Sequence, residues 1–424
     1  MARRPPRVLL VNDDGPPAPS SPHILGLYTH LRARLGWDVS VVLPSSQKSW
    51  GSMAFAIAHP VSLWYYYPLA NNDRGADART AGSWSATRRP VRPDEGEVAE
   101  WVLLDGSPTT CANIGLWSYA SLYHGGGGEE GPSTSSSSSS APSAPAFDLV
   151  ISGPNFGRNT GTAFALGSGT VGAAMAAALS GVRAISLSYG HFAQPTEQMK
   201  AAAAREEKAG VGVGVGVGVG PAAGDKKEEA QQEQEKKQEQ GGAGEATKRR
   251  RKASYTAPSA PREVVQLAHD LSVRIIERLW REWDDNVGVY AVNVPLCWML
   301  RDEKVYWTTM WKSKYGQLFQ PTAGAPAAAA VAAATTSATS DITATPASHQ
   351  PVPASAPTPA VQFRFSPNMA SMLAPKDLTV GTDTWAILNG YVSITRLRPN
   401  FSELDPSTAP GQGEAQGEGK QFRL

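Results

Sequence analysis

The sequence predicts an α/β fold with a mostly parallel sheet, and three observations carry that prediction. Short apolar runs recur at V-L-L-V (Val8–Val11), D-V-S-V-V-L (Asp38–Leu43), F-D-L-V-I-S (Phe147–Ser152) and V-R-A-I-S-L-S-Y (Val182–Tyr189). Strands buried on both faces of a parallel sheet read this way. Segments with helical spacing stand between several of them, and polar or glycine-rich turns follow the strand ends, where open α/β sheets bind their ligands.

The first strand runs into N-D-D-G (Asn12–Gly15), so Asp13 and Asp14 stand at the mouth of a predicted site. Adjacent carboxylates repel each other, and a hard divalent cation such as Mg or Mn, which takes oxygen ligands, makes that spacing tolerable. A helix carrying Ile24, Leu25, Leu27, Tyr28 and Leu31 follows, then the strand Asp38–Leu43, completing a right-handed βαβ unit.

W-V-L-L-D-G-S-P-T-T-C (Trp101–Cys111) opens the next block. F-D-L-V-I-S-G-P-N-F-G-R-N-T-G (Phe147–Gly161) is an apolar strand ending in glycines and amides. Ser168 to Leu179 reads as a helix opened by Ser-Gly-Thr, and Val182 to Tyr189 as a strand. Val264, Leu267, Leu271, Ile275, Ile276 and Leu279 recur at helical spacing over Val264–Trp283. Tyr290–Leu296 is a further strand, and T-D-T-W-A-I-L-N-G-Y-V-S-I-T-R-L (Thr382–Leu397) closes the fold as a C-terminal extension.

Three stretches are too biased to join this core: Gly/Ser-rich 125–145, a segment at 194–262 holding Val-Gly repeats and a Lys/Glu/Gln tract, and an Ala/Pro/Thr-rich spacer at 322–360. They lack the large apolar residues that offset ordering entropy and read as disordered inserts, with 404–424 a flexible tail. Of the 424 residues, then, 7–403 make one interrupted domain.

Lys plus Arg number 39 against 38 Asp plus Glu, a formal charge of +1, so no global field recruits nucleic acid or an anionic membrane. Two cysteines make no disulfide framework and no CxxC pair for zinc. No apolar run reaches the roughly 20 residues that span a bilayer. The opening M-A-R-R-P-P-R shows no apolar leader, giving the expectation of a cytoplasmic protein; K-R-R-R-K at 248–252 is a weak pointer to the nucleus.

Four polar clusters carry the candidate chemistry: Asn12, Asp13 and Asp14; Ser45, Ser46 and Ser49; Asn155 and Asn159; Ser168, Gly169 and Thr170. Each alone has a plain structural reading. Asp-Asp-Gly is often an Asx turn, glycines serve turns, and Ser-Gly-Thr is an ordinary helix N-cap. Together, carboxylates for a metal, amides and hydroxyls to complete it and a helix start for phosphate describe metal-assisted phosphoester hydrolysis.

In order and placement the clusters resemble the SurE phosphatases, or 5'/3'-nucleotidases. The resemblance rests on V-N-D-D-G, P-S-S-Q-K-S-W-G (Pro44–Gly51), G-S-P-T-T-C (Gly106–Cys111), S-G-P-N-F-G-R-N (Ser152–Asn159), S-G-T-V (Ser168–Val171) and the closing T-D-T-W-A-I-L-N-G-Y-V-S-I-T. Their wording and the inserts are closer to the eukaryotic branch. The resemblance implies a Rossmann-type three-layer fold, a divalent-metal-dependent phosphomonoesterase acting on nucleoside monophosphates, and a homodimer. It implies Asp13, Asp14, Ser49 and Asn155 as metal ligands, with Ser46 the alternative serine. It also implies Asn159, Ser168, Gly169 and Thr170 around the phosphate, and the aspartate pair as the catalytic residues.

Pro16 and Pro17 depart from the family's usual continuation after Asp-Asp-Gly. Haloacid-dehalogenase-like phosphatases want D-x-D after the first strand, and dinucleotide-binding oxidoreductases want G-x-G-x-x-G in the first turn; neither is present there, and G-P-N-F-G-R-N lacks that glycine spacing too. The alternative from another class is a catalytically inactive scaffold. The histidines show no HxxxH or HxH spacing, Cys111 reads as a small buried residue, and Trp280, Trp283, Trp298, Trp307 and Trp311 read as core or dimer contacts.

Overall fold

The structure, a computed structural model, describes residues 4–70, 81–123, 144–192, 260–321, 362–367 and 378–401. The inserts expected at 125–145, 194–262 and 322–360 fall outside them, apart from residues 144–145 and 260–262, as does the expected tail at 404–424.

The chain begins with β1 (Arg7–Val11), α1 (Ile24–Leu35) and β2 (Asp38–Pro44), and β1 and β2 pair in parallel as a βαβ unit requires. The α1 face carrying Ile24, Leu27, Tyr28 and Leu31 is buried, and the helix stops at Gly36, left-handed at φ 65°. Next come β3 (Leu63–Pro68), β4 (Gly82–Ser85), β5 (Trp101–Leu104), α2 (Pro108–Trp117) and α3 (Tyr119–Tyr123). Then follow β6 (Leu149–Phe156), α4 (Thr162–Gly167), α5 (Gly169–Leu179) and β7 (Arg183–Gly190). After the undescribed stretch the chain continues through α6 (Arg262–Arg281), β8 (Val289–Pro295), β9 (Val305–Thr308), β10 (Phe319–Pro321), β11 (Phe363–Phe365), α7 (Asp383–Leu388) and β12 (Val392–Leu397).

A 10-stranded sheet runs in the order β4-β3-β5-β2-β1-β6-β7-β8-β12-β9. From β5 to β8 every neighbouring pair is parallel. The antiparallel pairings lie toward the edges, β3 with β5 and β4, and β12 with β8. The chain winds outward from β1 in one direction through β2 and β5, and in the other through β6, β7 and β8. That reversal is the topological switch point, and the crevice beyond the carboxyl ends of β1 and β6 is where such a sheet binds ligands.

Alternation along β1 divides the core. Val8 and Leu10 pack with Ile24, Leu27 and Leu31 of α1 and with Leu271, Ile276 and Leu279 of α6. Leu9 and Val11 pack with Cys111 and Ala112 of α2 and Ala173, Ala174 and Ala177 of α5. The result is the three-layer α/β arrangement with a mostly parallel sheet that the sequence predicts. The small residues of α5 let it lie close; at Gly172 a Cβ would sit 2.3 Å from the Ser52 carbonyl oxygen.

Trp280 and Trp283 are in the core, whereas Trp298 and Trp307 are exposed. No helix among the described residues is long and apolar enough to cross a membrane.

Candidate active site

At the end of β1 the turn is built by Asn12. Its Oδ1 accepts from the Gly15 N–H at 3.0 Å, and its Nδ2 donates to the Gly15 carbonyl at 2.9 Å and to Ser21 Oγ at 3.2 Å. Gly15 is left-handed at φ 85°, and a Cβ there would lie 3.3 Å from the Pro44 carbonyl oxygen. The Asx-turn role thus falls to Asn12, which leaves both following carboxylates available.

Asp13 and Asp14 are 2% and 3% exposed. Thr170 Oγ1 donates to Asp13 Oδ1 at 2.5 Å, and the backbone N–H groups of Gly169 and Thr170 act on the same carboxylate. Gly169 is what allows this approach, since a Cβ there would stand 2.9 Å from Asp13 Cβ and 3.2 Å from Asp13 Oδ2. The carboxylate therefore meets the N-terminal end of α5, where unpaired amides and the helix dipole favour an anion.

Asp14 Oδ2 accepts from the Phe156 N–H at 2.6 Å, and its Oδ1 from Gln47 Nε2 at 3.4 Å. Burial pushes both carboxyls above their ordinary pKa, and the charge of Asp13 pushes Asp14 further. Among the described residues no cationic side chain acts on either. Two buried adjacent carboxylates without a counter-charge fit a divalent cation, and an all-oxygen donor set suits Mg or Mn.

The loop after β2 passes over this pair. Lys48 N–H donates to the Asp13 carbonyl at 2.7 Å, and Ser52 binds the α4–α5 junction through its N–H to Gly167 (3.0 Å) and its Oγ to Leu166 (2.7 Å). Ser49 is half-buried between these anchors, whereas Ser46 is exposed and lends its backbone to the packing around Gly15. Asn155 lies at the end of β6, one residue before the amide that holds Asp14, with Nδ2 donating to the Gly157 carbonyl at 2.8 Å.

Other predicted residues serve the framework. Asn159 is buried and donates to Ser188 Oγ at 2.9 Å, while its N–H donates to Asn293 Oδ1 at 2.8 Å; the structure ties it to β7 and β8. Ser168 caps α5, accepting from the Val171 N–H at 3.1 Å. Cys111 is buried, and burial pushes its thiol pKa up, as befits a packing residue.

Sequence reading missed Gln47, and also Arg158 and Asp383 beside the β6 loop. Arg158 has its pKa pushed down to about 10 by burial. Asp383 is buried, its Oδ2 accepting from Gly161 N–H at 2.8 Å and its Oδ1 from Trp311 N–H at 2.9 Å, so it fastens the loop to the chain after β9. The T-D-T of 382–384 was a signal for it, though Thr382 explains the motif locally by capping α7.

Among the described residues no cluster of three His, Cys, Asp or Glu is placed to hold a metal. The candidate centre is instead the buried aspartate pair.

Fold and site together define a Rossmann-type α/β protein with a paired-carboxylate centre at its switch point. Residues 8–213 match the family model described as "Survival protein SurE". It is 27% identical over 330 residues to the probable tubulin–tyrosine ligase PBY1 of Saccharomyces cerevisiae, covering 74% of this chain and 32% of that protein. It is 32% identical over 185 residues to 5'-nucleotidase SurE of Desulfitobacterium hafniense, covering 44% of this chain and 51% of the relative. The chain thus spans about a third and about half of these curated relatives. The crystal structure of the SurE protein from Aquifex aeolicus aligns with 18% identity and a TM-score of 0.44, over 93% of this chain and 94% of that one.

Proposed function

We propose that this chain is a divalent-metal-dependent phosphomonoesterase that hydrolyses nucleoside monophosphates to nucleoside and phosphate. The observation that carries the reading is the buried Asp13–Asp14 pair, set against the N-terminus of α5 without a cationic partner among the described residues. The name of the Desulfitobacterium relative, a 5'-nucleotidase, supports it.

Asp13 and Asp14, with Asn155 and Ser49, would hold the metal. When bound, Mg or Mn supplies a Lewis acid for a phosphoryl oxygen and lowers the pKa of a water. The chain's own residues do the rest. Thr170 and the α5 amides fix Asp13 in one orientation, and the Phe156 amide fixes Asp14. The positive end of α5 stabilises anionic charge gathered there, and the carboxylate pair orients the attacking water and receives its proton.

The test is phosphate release from a panel of nucleoside monophosphates and p-nitrophenyl phosphate, with and without Mg or Mn. Wild type is expected to be active only with metal, and Asp14→Asn to lose nearly all activity. An inactive wild type that still binds Mn would overturn this reading in favour of a scaffold.

A further inference from the structure

Ser49 is followed by Trp50, whose φ is 63°, and two residues on Ser52 has φ 50°. Residues with side chains avoid this left-handed region unless their surroundings impose it. Here they do. Ser52 is bonded to Leu166 and Gly167, and its carbonyl fills the space a side chain would need at Gly172. The constraint lays the Trp50 ring on the α4–α5 junction, where a Cβ on Gly167 would stand 3.1 Å from Trp50 Cε3.

Around that ring stand Phe164, Phe365 and Tyr315, with centroids 5.8, 5.3 and 6.4 Å away. Tyr315 is held by its hydroxyl, which donates to the Ala163 carbonyl at 2.5 Å. None of the four rings belongs to either core cluster, and Tyr315 and Phe365 remain 47% and 41% exposed. The group therefore presents aromatic faces outside the core and beside the carboxylate site.

Its distance from that site is bounded. Gly169 touches Asp13, Gly167 touches Trp50, and the Cα atoms of those glycines are at most about 7 Å apart. The aromatic group and the carboxylates are thus near enough for one nucleoside monophosphate to reach both. Aromatic rings stack on any nucleobase, because every base has a π-face.

We propose that Trp50, with Tyr315 and Phe365, is a stacking platform for the base of the nucleotide whose phosphate lies at Asp13 and Asp14. This rests on the phosphatase reading and adds the source of its preference for nucleotides over base-free sugar phosphates.

The experiment compares kcat/KM for adenosine monophosphate and ribose 5-phosphate within wild type, Trp50→Phe, Trp50→Ala and Phe365→Ala, and measures adenosine binding to each by calorimetry. Wild type should favour the nucleotide by about tenfold or more, the scale of one base stacked on an aromatic side chain. Trp50→Ala should bring that ratio toward one through KM, Phe365→Ala should lower it less, and Trp50→Phe should keep most of it. General damage to the fold lowers both substrates together and leaves the ratio unchanged.

A wild-type ratio near one, or a ratio unmoved in Trp50→Ala, overturns the platform while leaving the phosphatase intact. If neither compound is hydrolysed the phosphatase reading fails. The platform then stands or falls on whether adenosine binds wild type about tenfold more tightly than it binds Trp50→Ala.

Discussion

The hydroxyl of Thr170 donates a 2.5 Å hydrogen bond to Oδ1 of Asp13 across 157 residues of sequence, joining the first turn of α5 to the end of β1. Both groups are buried, so the bond fixes the rotamer of Asp13 and favours its ionised form. A hydrogen bond to a charged group contributes about 1.5 to 3 kcal/mol. Thr170→Val, nearly the same shape without the donor, should lower kcat/KM by about ten- to a hundredfold and weaken Mn binding measured by calorimetry. Thr170→Ser should restore both. Unchanged Mn affinity in the valine variant would show that Thr170 does not act through Asp13.

Gly172 is the position at which loop and helix meet most tightly, with the Ser52 carbonyl oxygen 2.3 Å from where a Cβ would be. Gly172→Ala must push the loop outward, and overpacking of this kind costs about 1 to 3 kcal/mol. The same displacement moves Ser49 and Trp50. Activity should therefore fall far more than the drop in Tm explains, with circular dichroism unchanged at 25 °C; an active variant with wild-type kinetics would show that the loop has no part in the site.

Much of this arrangement was legible in the sequence, for a physical reason. Strands buried on both faces must be continuously apolar, so β1, β2, β6, β7 and β8 announce themselves, and the residues at their ends follow. Asp13 and Asp14, at the end of β1, are legible that way; the bond from Thr170 to Asp13 is not, because it joins the start of α5 to the end of β1 across 157 residues. The bond from Asn159 to Ser188, on a strand 29 residues away, has no local signature. β9 was missed because its residues are exposed and show no alternation. β3 and β4 pair across an undescribed stretch, and L-W-Y-Y-Y-P has neither strand-type alternation nor a glycine turn beside it. Trp50 was invisible as a feature of the site because its importance comes from backbone geometry and from rings on three other segments.

The aspartate pair should carry a stability cost when no cation is bound. Burial and mutual repulsion raise the pKa of Asp14, meaning that its ionised form is disfavoured in the folded chain. Asn at position 14 keeps an oxygen to accept from Phe156 and removes the charge. Asp14→Asn should thus raise the Tm of metal-free protein by about 1 to 2 °C, the shift about 1 kcal/mol produces in a protein of this size, while abolishing activity. Saturating Mn should raise the wild-type Tm and leave the variant's almost unmoved. A variant Tm below that of metal-free wild type would contradict the buried-charge argument.

The histidines that look scattered in sequence gather in the fold, and they predict an acid limit. His23 Nε2 faces His191 Nε2 at 3.0 Å with the rings stacked, and His269 Nδ1 meets the Tyr189 hydroxyl at 3.0 Å. A hydrogen bond between two imidazole nitrogens requires one ring to be Nε2–H and the other to be bare there, so the accepting ring must be neutral. The Nδ1 atoms of His23 and His191 are buried without a hydrogen-bond partner among the described residues. Burial first, and then the neighbouring imidazoles, hold His23 well below its ordinary pKa; burial lowers His191 to about 4 and His269 to about 3. The unfolded chain protonates these groups near pH 6.5, so below that pH it binds more protons than the folded chain. Stability is therefore full above about pH 6.5 and falls as the pH drops toward 4, by up to about 1.4 kcal/mol per pH unit for each group. Calorimetric Tm should decline steeply across that window. His191→Phe, which places an apolar ring beside Phe156, should flatten the decline; the same slope in wild type and variant would assign the acid limit to other groups.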